Sequence, residues 1–145
     1  MVKRTTDMEL VSRILNHPKV FDWISDDVSP CPCVPNPNHL HLVDETGTML
    51  LTATHVNGIT CEVHIAALPE SWGRAVSFFK ECISWGFENT RYTKVIGFTP
   101  AYNRAALALA RRAGFKEEGR ITNSFLKNWE LYDMIVFGLS KYKEG

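Results

Sequence analysis

The chain has 145 residues, with 16 Lys and Arg against 16 Asp and Glu and a hydrophobic content of 45%. That is enough for one domain, 1–145, around a single core, and it carries no basic excess that would recruit nucleic acid or an anionic membrane. The first ten residues lack the apolar stretch of a signal peptide and no segment could span a bilayer, so a cytoplasmic protein with no nucleic acid and no membrane partner is expected.

Thr6 to Glu9 reads as a capping box, followed by Leu10, Val11, Ile14 and Leu15 at helical spacing. Pro18 suits the first turn of a second short helix carrying Val20, Phe21 and Ile24. A proline-rich loop follows. Strands are then expected over 40–43, 49–56 and 59–67, separated by a turn at Glu45 to Gly47 and by Asn57-Gly58, a hairpin signal between two alternating apolar runs.

From Gly73 to Phe87 the period becomes helical, with Val76, Phe79, Cys82, Ile83 and Gly86 turned to one side. A strand over 94–99, a helix over 103–113 with Asn103 as cap and Gly114 as stop, and strands over 116–121 and 133–139 complete the chain. This order predicts an α/β fold of the mixed α+β kind: one mostly antiparallel mixed sheet of about six strands flanked by about four helices. Residues 1–4 are too short to assign as a strand.

Cys61 and Cys82 lie among apolar residues and read as small hydrophobes. Cys31, Cys33, His39 and His41 invite a zinc reading, but each pair is separated by one residue where structural sites use two or more, so no metal is expected. The simpler reading is a proline-stiffened loop leading into a strand whose His39 and His41 share a wet face.

The stretch from Asn103 to Gly119 has the pattern N-x-x-A-x-x-L-x-x-x-x-G-F-x-x-x-G. It resembles the second cofactor motif of the GNAT superfamily of acyl-coenzyme A N-acyltransferases. Pro69 to Ser77 resembles the first motif, P-E-x-[QR]-G-x-G-x-[GA], with Gly73 matching, Trp72 at the Gln/Arg position, Ala75 at the middle glycine and Ser77 at the last small residue. The two stand in the family's order and spacing, and short GNAT-like proteins of tailed bacteriophages are similar, some of them virion-associated. The resemblance implies the GNAT fold and acetyl-coenzyme A as co-substrate. The pyrophosphate would meet backbone N–H groups where the turn enters the helix. Ala66, Ala67, Trp72, Gly73, Arg74, Ala75, Val76, Ser77, Asn103 and Arg104 are its implied binding residues. Arg104 and Arg111 share a helix face and are also readable as solvated charge.

An acceptor amine must lose a proton before it attacks the thioester, so a base is needed. Thr60, Glu62, His64 and Ala66 alternate on one face of their strand, with Cys61, Val63, Ile65 and Ala67 on the core face. Several members of the family carry a glutamate at the Glu62 position. Glu62 is the expected base, with His64 as alternative or partner. The tyrosine that often protonates the thiolate in this family is replaced by Ala110, leaving Tyr102, Tyr132, Ser124 or solvent. The implied function is an N-acetyltransferase acting on an amine, small molecule or protein, with a homodimer allowed. The alternative is a GNAT-like domain whose catalysis has decayed, kept as a binding or structural protein in host cytoplasm or virion. In this fold the acceptor pocket is shaped by 20–38 and 123–132, where Trp23 and Trp129 are candidate lining residues.

Overall fold

A computed structural model describes residues 1–142. In chain order the elements are β1 (Lys3–Arg4), α1 (Met8–Leu15), α2 (Pro18–Ile24), β2 (Leu40–Val43), β3 (Met49–His55), β4 (Thr60–Ala67), a 3-10 helix (Pro69–Arg74), α3 (Ala75–Asn89), β5 (Lys94–Pro100), α4 (Arg104–Arg112), β6 (Lys116–Lys127) and β7 (Glu130–Ser140). One sheet of seven strands runs in the order β1-β2-β3-β4-β5-β7-β6, antiparallel throughout except for the parallel pair β4 and β5. The short segment left unassigned from sequence is β1, paired to β2.

The two faces are covered unequally. α3 and α4 bury Phe78, Phe79, Cys82, Ile83, Ala110 and Ala113 against Cys61, Val63, Val95, Ile135 and Phe137 on the back. Truncating a residue such as Phe137, 1% exposed, would cost about 3–5 kcal/mol. Burial drives the Cys61 thiol up to about 11 and raises that of Cys82, so both are inert core groups, as expected. On the front, α1 and α2 cover only the first part of the sheet, packing Val11, Ile14 and Val20 on Val43, Leu50 and Ala66. Ala66 therefore lies in a second core, although alternation places it on the polar face.

Several local expectations are revised. Asp7, not Thr6, caps α1 by accepting from the Leu10 amide at 3.1 Å, because Thr5 Oγ1 takes the Asp7 amide and starts the helix one residue later. His41 is not on a wet face: it is 1% exposed, its Nε2 at 2.9 Å from the Asn36 carbonyl and its Nδ1 at 3.0 Å from Thr52 Oγ1, because the proline-rich loop folds over it. Both ring nitrogens are thereby engaged within the protein. The final hairpin is longer than the apolar pattern suggested, since β6 carries irregularities at Glu117/Gly119 and Ile121/Phe125, with Asn123 at φ 50, and resumes to Lys127.

Candidate active site

The parallel pairing of β4 and β5 is short. It joins Thr60 to Lys94, Cys61 to Val95 and Glu62 to Ile96, and stops there. β4 continues on β3 to Ala67, and β5 continues on β7 to Pro100. The two strands thus separate into a V in the middle of the sheet. A Cβ built on Gly97 would stand 3.7 Å from the Val63 carbonyl oxygen, so Val63 directs its backbone toward β5; strand alternation gives Ile65 and Ala67 the same direction. Interior strand edges with open donors and acceptors are a place for an extended ligand to bind.

Glu62 and His64 sit where the V begins. His64 Nε2 is 2.6 Å from Glu62 Oε2; the carboxylate is three-quarters buried and the imidazole more than half exposed. A carboxylate at that distance calls for a proton on Nε2 between the two groups. The geometry couples an acceptor for a proton to an exposed route away from it.

The mouth of the V is rimmed with aromatic side chains. Past the end of β4, Trp72 donates its Nε1–H to the Ala67 carbonyl at 2.8 Å and lies 6.0 Å from Trp23 of α2. Past the end of β5, Tyr102 packs on Tyr132 at 4.6 Å and Phe125 at 6.1 Å. Burial, then the charge of Asp22 and its neighbours, push the Tyr102 phenol up, so it gives up its proton less readily than a free phenol. Tyr132 spends its hydroxyl on Glu130 at 2.8 Å, and Ser124 spends its own on the Ile121 carbonyl at 2.8 Å.

The expected phosphate turn differs from an open loop. It is a 3-10 helix running straight into α3, and it spends amides inside itself: Ser71 donates to the Leu68 carbonyl and Ala75 to the Trp72 carbonyl. Gly73 remains open, since a Cβ there would meet no atom within 4 Å. Ala75 is buried, Val76 half-buried, and Ser77 and Arg74 exposed.

Arg74 leans back on the protein, with Nη2 at 2.9 Å from Ser71 Oγ and Nη1 at 3.6 Å from Asp44. Asp44 is itself buried in the β2–β3 turn. Burial raises its carboxyl, but bonds from the Thr46 side chain and from the amides of Met49, Thr48 and Thr46 outweigh this and hold it below the usual range. Thr48 Oγ1 meets Ser71 Oγ at 2.5 Å, so this turn clasps the 3-10 helix. Nothing in the local sequence marks that clasp, whose partners are 23 residues apart.

Asn103 caps α4, its Oδ1 accepting from the Ala106 amide at 3.1 Å while the residue is 7% exposed. Its Nδ2 has no hydrogen-bond partner among the described residues. Ala110 is buried against the back core. Arg104 is exposed at the start of α4, and Arg111 approaches Glu117 at 4.0 Å, a solvated pairing. The structure thus sets Glu62, His64 and Ala67 along β4 where it separates from β5, with Trp72 past the end of β4 and the loop before Asn103 past the end of β5.

No protein-family model matches the chain, and no curated protein matches it by sequence. Solved structures do match. A Streptococcus mutans protein superposes with a TM-score of 0.78 over 98% of this chain and 99% of its own, at 16% identity. A spermidine N-acetyltransferase from Vibrio cholerae, in complex with CoA and spermine, gives 0.76 over 97% and 95% at 14% identity. A GNAT-family acetyltransferase from Bacillus anthracis gives 0.71 over 97% and 93% at 13% identity. This is the GNAT fold. The order of elements read from sequence holds in it, with β1 present as its first strand. Among the described residues no helix is long and apolar enough to cross a membrane.

Proposed function

We propose that the protein is an N-acetyltransferase that moves an acetyl group from acetyl-coenzyme A to an amine. The observation that carries this reading is the V between β4 and β5 with the Glu62–His64 pair at its apex. Pantetheine has the amide groups to bind the open edge of β4 at the Val63 carbonyl, Ile65 and the Ala67 amide as an added strand, and the pyrophosphate has room at Gly73. That three fold neighbours include two acetyltransferases, one of them holding CoA, supports the choice.

In the proposed reaction the Glu62 carboxylate removes a proton from the acceptor ammonium, directly or through one water, and His64 holds the carboxylate in place. The freed nitrogen lone pair attacks the thioester carbonyl, forming the C–N bond, and collapse breaks the C–S bond as the nitrogen gives its second proton to water. The departing thiolate takes a proton from Tyr102. Of the three side chains proposed from sequence for that role, Tyr102 alone has a hydroxyl not spent on a described partner. Solvent then returns the proton to Tyr102.

A second reading, a GNAT-like domain with decayed catalysis, is favoured by the inward amides of the 3-10 helix and by the buried Ala110. The two separate in one assay: release of free coenzyme A thiol from acetyl-coenzyme A with a panel of amines and peptides. Amine-dependent release that Glu62→Gln abolishes supports the enzyme, whereas binding of coenzyme A without transfer to any acceptor supports the decayed domain.

A further inference from the structure

The turn between β6 and β7 is built against local preference. Asn128 and Trp129 form a two-residue loop with φ 52 and φ 62, a geometry that suits asparagine at the first position but asks for glycine, not a bulky side chain, at the second. The turn is nevertheless held firmly. Asp27 accepts from the Asn128 amide at 3.0 Å and from the Trp129 amide at 2.8 Å, and the Asp27 amide donates to the Leu126 carbonyl at 3.0 Å. Lys127 Nζ donates to the Asp22 and Ser25 carbonyls at 2.7 and 2.9 Å. These bonds tie the end of α2 to the hairpin tip across the front of the V.

What the turn presents is an indole 83% exposed, with Val28 at 73% and Leu131 at 60% on the same tied segments. Folding does not explain Trp129, because the indole adds nothing to either core and sits at a position where glycine would cost less. Strained, exposed residues of this kind gather at functional surfaces. The segments 22–29 and 126–132 also carry Asp22, Asp26, Asp27 and Glu130 against Lys127 alone, in a chain of zero net charge. Lys127 lies 3.5 Å from the Asp22 carboxylate and offsets it, which leaves Asp26, Asp27 and Glu130 as the unneutralised acids of these segments. The surface is continuous with the candidate active site through Trp23 and Trp72 to the end of β4. Trp23 and Trp72 are each nearly half exposed and Tyr102 about a third, so the mouth presents an aromatic rim to solvent, suited to a chain lying across it.

We propose that this rim docks the acceptor as a polypeptide: a basic segment with apolar side chains, which packs on Trp129, Val28 and Leu131, pairs with the acidic fringe and presents a lysine or amino-terminal amine to Glu62. The proposal rests on the acetyltransferase reading and selects a peptide over a small free amine.

The test is calorimetric titration of the whole protein, with coenzyme A bound, by three probes: a decapeptide alternating lysine and leucine, one alternating glutamine and leucine with a blocked amino terminus, and spermidine. The lysine–leucine peptide is expected to bind at least tenfold more tightly than either of the others. Trp129→Gly is expected to weaken it at least tenfold while the melting temperature stays level or rises, since glycine suits the turn. Tighter binding of spermidine, equal binding of the two peptides, or unchanged peptide affinity in Trp129→Gly would each overturn the proposal. So would a concentration-dependent dimer, seen by sedimentation, that Trp129→Gly dissolves, because the occupant would then be a second copy. Coenzyme A affinity is read in the same instrument; its absence would sink the acetyltransferase reading, and the same three titrations of the protein without coenzyme A would then decide the docking surface separately.

Discussion

The two ends of the sheet are built by different rules. At the far end, β3 and β4 are joined across Val56 to Ile59, where Asn57 and Gly58 read as a tight hairpin from sequence. The hairpin forms, but neither residue takes positive φ; Asn57 instead accepts from the amides of Ile59 and Thr60 at 3.0 Å, and the loop is wider than two residues. At the mouth end the two-residue turn with both φ positive does occur, and there the chain places Asn128 and Trp129. Glycine stands where it is not required and tryptophan where glycine is. The mouth end also holds the unpaired strand ends, the exposed Trp72 and the Asp44 clasp. The closed end thus keeps the hairpin that its sequence announces in a wider, unstrained form, and the mouth end carries features that folding alone would not select.

Substitutions of side chains that line the V, from its apex outward, are expected to alter activity more than stability. The largest effect is expected for Glu62→Gln, which keeps the shape but loses the proton acceptor: turnover falls by roughly 10²–10⁴-fold with coenzyme A affinity nearly unchanged. Steady-state rates and a binding titration check it, and damage from His64→Ala instead would move the base two residues along the strand.

Asp44→Asn sharpens the division by striking the clasp beneath the 3-10 helix. Replacing a buried, multiply bonded carboxylate should cost on the order of 2 kcal/mol at neutral pH. Because the folded carboxyl titrates below its unfolded value, its contribution is present above the unfolded value and is lost as pH falls through the folded one. The wild-type melting temperature should therefore drop below about pH 4, and the variant should show less of that drop.

Smaller effects test the turns directly. Trp129→Gly should raise stability by about 0.5–1 kcal/mol, the left-handed penalty of an L residue less the entropy of glycine. Gly58→Ala should add about 0.4–1 kcal/mol, since the position is outside the left-handed region and a Cβ there meets nothing within 4 Å. Thermal unfolding reads both. A Trp129→Gly variant that unfolds more easily would show that the indole serves the fold, and the contrast between the two ends would fail.

Much of this was legible in the sequence, and the omissions share a cause. Alternation placed Glu62 and His64 on one strand face, and the capping preference of Asn103 and the stop at Gly114 marked α4, because those are properties of neighbouring residues. Ala66 and His41 escaped the same logic, since α1 and α2 cover one and the proline-rich loop covers the other. The long β6 was cut short at Ile121 because a bulge after it looks like a polar loop. Trp72 on the Ala67 carbonyl, the Asp44 clasp and the Asp27 hold on the hairpin join residues separated in sequence, and no local pattern announces them.

The most direct test of the central claim, that the V between β4 and β5 is an acetyl-coenzyme A site, is thermal unfolding with and without the thioester. At a hundredfold excess over the dissociation constant the wild type should gain about 2.7 kcal/mol, and Gly73→Val should lose that gain while unfolding normally without ligand. A wild-type melting temperature unmoved by millimolar acetyl-coenzyme A would contradict the account.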